Sequence, residues 1–216
     1  MQCPTTAETR TSRSELTLAG ILDAALEMAA AEGLESLTIG EVAKRLGLSK
    51  SGVFSRIGSR EALQRAVIEE YDRRFIQEVF IPAMREPRGL PRLDAIVERW
   101  LERAVNVERG ACIYCAGAFE FDDRDGPLRD LLLSGILNWR AALKRTVVQA
   151  IEAGHLHSDS DPDQIVFEID GLFIALMRET RFLRDPRAAD RARRAYHRLV
   201  DSLATKSRMR RVARQG

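Results

Sequence analysis

The 216-residue sequence is poor in the residues that cross-link chains, span membranes or carry metal chemistry. It contains three cysteines, three histidines and 6% aromatic residues. Cys3, Cys112 and Cys115 are too few for a disulfide framework, which indicates a reducing compartment. No stretch approaches the roughly 18 consecutive apolar residues of a membrane-spanning helix, and the polar N-terminus lacks the apolar segment of a signal peptide. We therefore expect a cytoplasmic protein with no membrane partner.

Common catalytic signatures are also missing. The sequence has no G-x-S-x-G, P-loop, H-E-x-x-H or dinucleotide-binding glycine motif, and its histidines form no recognisable constellation. The net charge of +2 is close to neutral, so bulk charge does not point to nucleic acid. We expect no enzyme, no catalytic residue, no metal and no cofactor, although an enzyme or ligand carrier on a helical scaffold remains a competing class.

Helical patterns dominate what is present, and period-2 alternation is almost absent. Apolar residues three and four apart predict a first helix that ends at Gly33. Thr38 and Glu41 have the spacing of a capping box, and Ser49 and Ser59 are typical N-caps. The sequence therefore predicts an all-α fold, with further helices at about 38–46, 50–57, 60–84, 91–107, 111–122, 127–153, 162–183 and 187–204.

Residues 38–57 meet the requirements of a helix-turn-helix. Ala43 is small where the second helix crosses the first, Gly47 tolerates a positive φ in the turn, and Val53 faces inward. The same spacing also fits a helix hairpin buried in a core. The local charge favours DNA, because the segment from Thr38 to Arg60 has five basic residues and one acidic residue, and such cations neutralise phosphates.

The stretch from Ile21 to Leu63 resembles the N-terminal domain of the TetR family of bacterial transcriptional regulators. Matching features are the Ala-rich first helix ending at Gly33, the helix start at Thr38, and the pairs Val42-Ala43 and Ser49-Lys50. The resemblance implies a homodimeric repressor that binds a pseudo-palindromic operator in double-stranded DNA and responds to an unidentified small molecule. Two alternatives remain: a helical small-molecule-binding or thiol-sensing protein whose helix-turn-helix is degenerate, and an interaction protein that does not bind DNA.

With this resemblance, the chain divides into four parts. We expect a disordered arm at 1–14 and a helix-turn-helix domain at 15–75. A helical ligand-binding and dimerisation domain would follow at 76–205, and a basic tail at 206–216.

The resemblance also implies which residues meet DNA. The family usually has Tyr where this chain has Phe54, so a hydroxyl–phosphate hydrogen bond is missing, at a cost of roughly 1 kcal/mol per subunit. Ser51 and Gly52 differ from a common Gly-Thr pair, which bears on base preference. Positions that commonly contact the DNA backbone, fix the helix or face bases are Thr38, Ser49, Lys50, Ser51, Gly52, Phe54, Arg56 and Arg60.

The predicted C-terminal domain has candidate residues for two further sites. The helices at 127–153 and 162–183 are rich in apolar residues, which fits either an intramolecular core or a two-fold four-helix interface. Candidates for that interface are Leu132, Ile136, Trp139, Leu143, Gly171, Leu172 and Ala175. Candidates for a ligand pocket, each of which could equally be core, are Trp100, Cys112, Tyr114, Cys115, Phe119 and Phe121.

Cys112 and Cys115 are three residues apart on one predicted helix. Cysteines at this spacing more often pack as small hydrophobic side chains than act chemically. A metal site would need His155 and His157 to come close, and thiol sensing is a further alternative.

Overall fold

The computed structural model describes residues 6–106 and 112–205, with side chains from residue 18 onward. These residues form ten α-helices and one isolated β-bridge between Leu156 and Ala204. The predicted all-α class is confirmed. The helices are α1 Thr6–Glu32, α2 Ile39–Leu46, α3 Lys50–Ile57, α4 Arg60–Phe75, α5 Ile81–Ala83, α6 Leu90–Val105, α7 Ile113–Glu120, α8 Pro127–Glu152, α9 Pro162–Met177 and α10 Ala188–Leu203.

The first helix begins earlier than predicted. Residues 6–14 belong to α1, so the expectation of a disordered arm at 1–14 is wrong for that segment. Between Pro4 and Gly20 the sequence has no glycine or proline, and therefore no residue that stops a helix from extending towards the N-terminus. Residues 1–5 of the predicted arm, and the predicted basic tail at 206–216, lie outside the described residues.

Local signals account for α2 and α3. The Glu41 N–H donates to the Thr38 hydroxyl at 3.1 Å, and the Gly52 N–H donates to the Ser49 hydroxyl at 3.0 Å. Gly47 ends α2 at φ +64°, a left-handed conformation that costs glycine little. Val53 turns inward and is fully buried. Caps, turn and inner face all stand where the sequence predicted them.

The predicted helix at 60–84 is interrupted near its end. After α4, residues Ile76–Phe80 widen into a π-helical turn before the short α5. Pro82 lies within α5, where its missing N–H removes one helical hydrogen bond and its ring crowds the carbonyl one turn earlier. The wider turn accommodates that proline.

Two hydrophobic cores organise the described chain. The N-terminal core is formed by α1 to α4 and includes Ile113, Phe121 and Leu132 from α7 and α8. The C-terminal core is formed by α6, α8, α9 and α10. Phe75 and Cys112 pack against both cores. The junction between the two halves therefore consists of α4 and α7. Every helix within the described ranges is too short or too polar to cross a membrane.

Candidate nucleic-acid interface and interior of the C-terminal domain

The outer face of α3 is the most exposed part of the helix-turn-helix. Lys50 and Ser51 are exposed, and Phe54 keeps 55% of its surface accessible. Gly52 is half-buried. A Cβ at this position would lie 2.9 Å from the Ser49 hydroxyl oxygen, which is too close. Gly52 therefore leaves room for the α3 cap, a role that the sequence did not reveal.

Thr38 and Ser49 are exposed and occupied as caps. In both caps the hydroxyl oxygen accepts a backbone N–H, which leaves the Thr38 hydroxyl hydrogen available to donate to an anion, while the Ser49 hydroxyl is also hydrogen-bonded to the Ser51 hydroxyl at 3.3 Å. The N-termini of α2 and α3 also carry the partial positive charge of the helix dipole. These two caps are suited to contact phosphate.

The cations of the 38–60 segment differ in how far they are neutralised. Arg45 pairs with Glu27 at 2.6 Å, and Lys44 lies 4.0 Å from Glu41. Lys50 and Arg56 have no ion pair with any described residue, although the Arg56 guanidinium donates to the Gly52 carbonyl at 2.7 Å. The unneutralised positive charge of the motif is therefore concentrated on α3.

Arg60 differs from the other predicted DNA contacts. Its guanidinium donates to the Leu37 carbonyl at 2.9 Å and to the Glu35 carbonyl, and lies 3.3 Å from the Glu35 carboxylate. These bonds tie the start of α4 to the loop before α2. In this conformation Arg60 joins α4 to the loop before α2, and 40% of its side chain remains exposed.

The helix α7 makes polar contacts that join the C-terminal part of the chain to the N-terminal core. The N–H groups of Leu34 and Glu35 donate to the Glu120 carboxylate at 3.0 and 2.7 Å. The Tyr114 hydroxyl donates to the Asp72 carboxylate at 2.7 Å. Burial raises the pKa of Asp72, and the Tyr114 hydrogen bond opposes that shift. Sequence reasoning missed these contacts, because their partners are far apart along the chain.

The predicted pocket residues do not line one site. Trp100 lies in the C-terminal core and Cys115 packs against it, whereas Phe121 belongs to the N-terminal core. Tyr114 is engaged with Asp72. Phe119 is 68% exposed, so its placement in a pocket is wrong. The candidates on α7, a helix of eight residues that packs on two sides, point in different directions.

An aromatic cluster occupies the middle of the C-terminal domain. Trp100 stacks on Phe173 with ring centroids 3.6 Å apart, and Trp139 meets Trp100 and Phe75 edge-on at 4.9 Å. A cavity of about 10 Å³ remains between Tyr71, Trp100, Cys112 and Phe173, among others. The Trp139 indole N–H is buried and has no hydrogen-bond partner within the described chain. A buried donor without a partner is uncommon and needs an explanation.

The predicted dimer residues lie on two helices, α8 and α9. Leu132 and Leu143 are buried in their own subunit, so these two are not available to a second subunit. Trp139 packs in the aromatic cluster and is half-buried. Ile136 is half-buried. The exposed apolar residues of α8 are instead Leu133 and Leu137, one position along.

The predicted α9 residues lie closer to solvent. Gly171 and Ala175 are exposed and Leu172 is half-buried. Phe167 and Ile174, which were not predicted, extend the same exposed face and are 63% and 47% accessible. Leu172 and Ala175 also line a groove of about 680 Å³ between α9 and α10.

The histidines do not join the cysteines. His155 Nδ1 accepts the Leu90 N–H at 3.1 Å and so caps the start of α6. No group of three or more His, Cys, Asp or Glu side chains within the described ranges could hold a metal ion.

Comparison with known proteins gives two family matches. Residues 21–67 match the model described as bacterial regulatory proteins, tetR family, and residues 89–196 match the tetracyclin repressor-like C-terminal domain. The second match alone covers half of the chain. No curated protein matches the sequence.

Solved structures share the fold at low sequence identity. A TetR-family regulator from Cytophaga hutchinsonii is 17% identical, with a TM-score of 0.75 over 90% of this chain and 98% of that one. A TetR regulator from Chloroflexus aurantiacus is 20% identical, with a TM-score of 0.73 over 88% and 95%. FadR from Bacillus subtilis, solved in complex with stearoyl-CoA, is 14% identical, with a TM-score of 0.70 over 85% and 97%. These likenesses concern the fold.

Proposed function

The chain belongs to the TetR family of bacterial transcriptional regulators, and on that premise we propose that it is a cytoplasmic homodimeric repressor of a pseudo-palindromic operator. The observation that carries the DNA-binding part is the free, basic outer face of α3. Lys50 and Ser51 are exposed at its N-terminal end, where a recognition helix meets base edges in the major groove. Phosphate contacts come from the caps at Thr38 and Ser49 and from Arg56.

The experiment is a binding measurement with a selected operator. Duplexes from a random-sequence pool are enriched on the protein, and the affinity of the best duplex is measured by fluorescence anisotropy at fixed salt. Lys50→Ala should weaken binding by roughly tenfold, because a side chain that reads a base contributes about 1–3 kcal/mol. Arg99→Ala removes one positive charge from an exposed position on α6 and is the matched control. Equal affinities of the two variants contradict the assignment of α3.

We propose that two subunits pair through the exposed face of α9. Phe167, Gly171 and Ile174 recur along one side of this helix, and the small Gly171 permits a close approach of two backbones. Leu133 and Leu137 of α8 would extend the interface. A two-fold dimer presents two copies of α3, which suits an operator with two half-sites.

We propose that the effector is an apolar molecule with a hydrogen-bond acceptor, bound in the aromatic cluster around Trp139. The neighbouring cavity of about 10 Å³, lined by Trp100 and Phe173, is too small for such a molecule, so binding must open the cluster as far as Trp139. The acceptor would satisfy the buried Trp139 N–H. FadR from Bacillus subtilis, which shares this fold, was solved in complex with stearoyl-CoA, a ligand with a long apolar acyl chain.

A thermal-shift screen of apolar compounds tests the effector proposal, because a ligand that binds the native state raises its melting temperature. Trp139→Phe keeps an aromatic ring and removes the N–H, so it should bind such a compound less tightly. A compound that binds both proteins equally would rule out the Trp139 hydrogen bond. To act as an inducer, the compound must also bind the conformation that releases DNA more tightly than the one that holds it.

A further inference from the structure

Cys112 and Cys115 form a pair of free thiols at the start of α7. Cys112 is the N-cap residue of α7, and Cys115 is the third residue of the helix. Cys112 packs against both cores, and it lines one small cavity together with Tyr71 of α4. The arrangement places two sulfurs and one hydroxyl at the junction of the two cores.

The surroundings give the two sulfurs different roles. The hydrogen bond from Cys115 lowers the pKa of Cys112; burial opposes this, and the Tyr71 hydroxyl lowers the pKa further. Burial raises the pKa of Tyr71, so its hydroxyl keeps the proton that it donates. The hydrogen bond to Cys112 and burial raise the pKa of Cys115. Cys112 also stands at the N-cap, the positive end of the α7 dipole, and is therefore the more acidic thiol of the pair, which reacts first as thiolate.

Access to the pair is narrow. Cys112 lines the cavity of about 10 Å³, together with Tyr71 and Trp100. That volume is about what one water molecule needs. Both cysteines are half-buried, so a small oxidant such as hydrogen peroxide reaches them more easily than a bulky disulfide such as oxidised glutathione.

We propose that Cys112 and Cys115 are a redox modification site that takes hydrogen peroxide, and that its oxidation to a disulfide weakens DNA binding. The Cys112 thiolate attacks one peroxide oxygen, so an S–O bond forms, the O–O bond breaks and hydroxide leaves. Cys115 then attacks the sulfenic sulfur, so the S–S bond forms and the sulfenic oxygen leaves as water. The proton of Cys115 goes to the departing sulfenic oxygen, and the hydroxide released in the first step is the other product. The two sulfurs give up two electrons, and the peroxide is reduced to one water and one hydroxide.

Closing this disulfide moves a residue that both cores share. Cys112 is the N-cap of α7, and a disulfide to the third residue of the helix requires its side chain to turn towards Cys115. Its sulfur is then bonded to sulfur and no longer carries a thiolate charge in the cavity that it shares with Tyr71. Tyr71 lies on α4, whose N-terminal end is attached to the helix-turn-helix by Arg60. Oxidation is thus coupled to the position of α3.

The chemical test uses the full chain with Cys3→Ser, so that the two remaining thiols are those of Cys112 and Cys115. Hydrogen peroxide in tenfold molar excess should remove both free thiols and lower the intact mass by about 2 Da, and dithiothreitol should reverse both changes. With Cys115→Ser added, Cys112 should instead form a sulfenic acid that dimedone traps. Tyr71→Phe should slow the oxidation, and oxidised glutathione should react far more slowly. Thiols that stay free in peroxide would overturn the proposal.

The functional test measures the affinity for the selected operator before and after oxidation, and this part rests on the proposed function. The disulfide form should bind DNA roughly tenfold more weakly, within the range usual for coupling between sites, and reduction should restore the affinity. The variant with Cys115→Ser should lack that reversible loss. A disulfide that forms without any change in affinity would refute the coupling. If the reduced protein binds no duplex, the proposed function fails, while the thiol and mass measurements still decide whether the redox site exists.

Discussion

Replacing Glu120 by glutamine tests the polar contact between α7 and the start of the helix-turn-helix. The carboxylate accepts the N–H groups of Leu34 and Glu35, one on each oxygen. Glutamine has nearly the same shape, but one of its two terminal atoms is an amide nitrogen that donates. One backbone N–H therefore loses its acceptor and faces a second donor.

The size of the effect follows from these two bonds. Hydrogen bonds to a charged acceptor contribute about 1.5–3 kcal/mol each, and the half-buried position places this contact at the lower end. We expect Glu120→Gln to cost about 2 kcal/mol of unfolding free energy. For a chain of this length, 1 kcal/mol corresponds to roughly 2–4 °C. The melting temperature should therefore fall by roughly 4–8 °C.

Two measurements check this prediction. Calorimetry gives the melting temperature, and hydrogen exchange followed by NMR reports directly on the amides of Leu34 and Glu35, which should exchange faster in the variant. Glu152→Gln is the control, because Glu152 is exposed at the end of α8. If Glu120→Gln and the control melt within about 1 °C of each other and both amides keep their protection, the contact does not hold the two halves together.

Three further variants test other parts of the molecule. Phe54→Tyr should restore a phosphate hydrogen bond and tighten operator binding about fivefold per subunit at matched salt, since it adds about 1 kcal/mol; unchanged affinity would mean that residue 54 does not meet the backbone. Hydrogen bonds from Arg73 lower the pKa of Glu70 from 4.5 to about 2. The stability that the lowered pKa of Glu70 gives is complete above pH 4.5 and is lost as the pH falls towards 2. The difference in melting temperature between wild type and Glu70→Gln should therefore shrink over that window. A constant difference would contradict the role of this ion pair. Ile174→Glu should halve the mass measured by light scattering, while Ile76→Glu, at the same 47% exposure, should leave the dimer intact; equal masses would place the interface elsewhere.

The contacts of α7 explain why this short helix matters to both halves of the protein. Its first turn carries the thiol pair and Tyr114, and its last residue, Glu120, binds the loop before α2. Gly33 and the Glu120 carboxylate are closely packed, because a Cβ on Gly33 would lie 2.8 Å from a Glu120 oxygen. We therefore expect a change at either end of α7 to alter contacts in the N-terminal core.

The sequence by itself determined the helices and the helix-turn-helix. Thr38, Gly47 and Ser49 act on residues up to four positions away, and such local interactions can be read from neighbouring letters. The family resemblance rests on the same short-range pattern, which is why it lies in the stretch from Ile21 to Leu63.

Only the tertiary structure decided which faces and which distant pairs are used. On α8 the sequence offers two apolar stripes one position apart, and packing buries Leu132 and Leu143 while it leaves Leu133 and Leu137 exposed. Arg60 holds a loop 23 residues away, and Glu120 binds an N–H 86 residues away. Burial and long-range hydrogen bonds are properties of two surfaces that meet, so no single stretch of sequence specifies them.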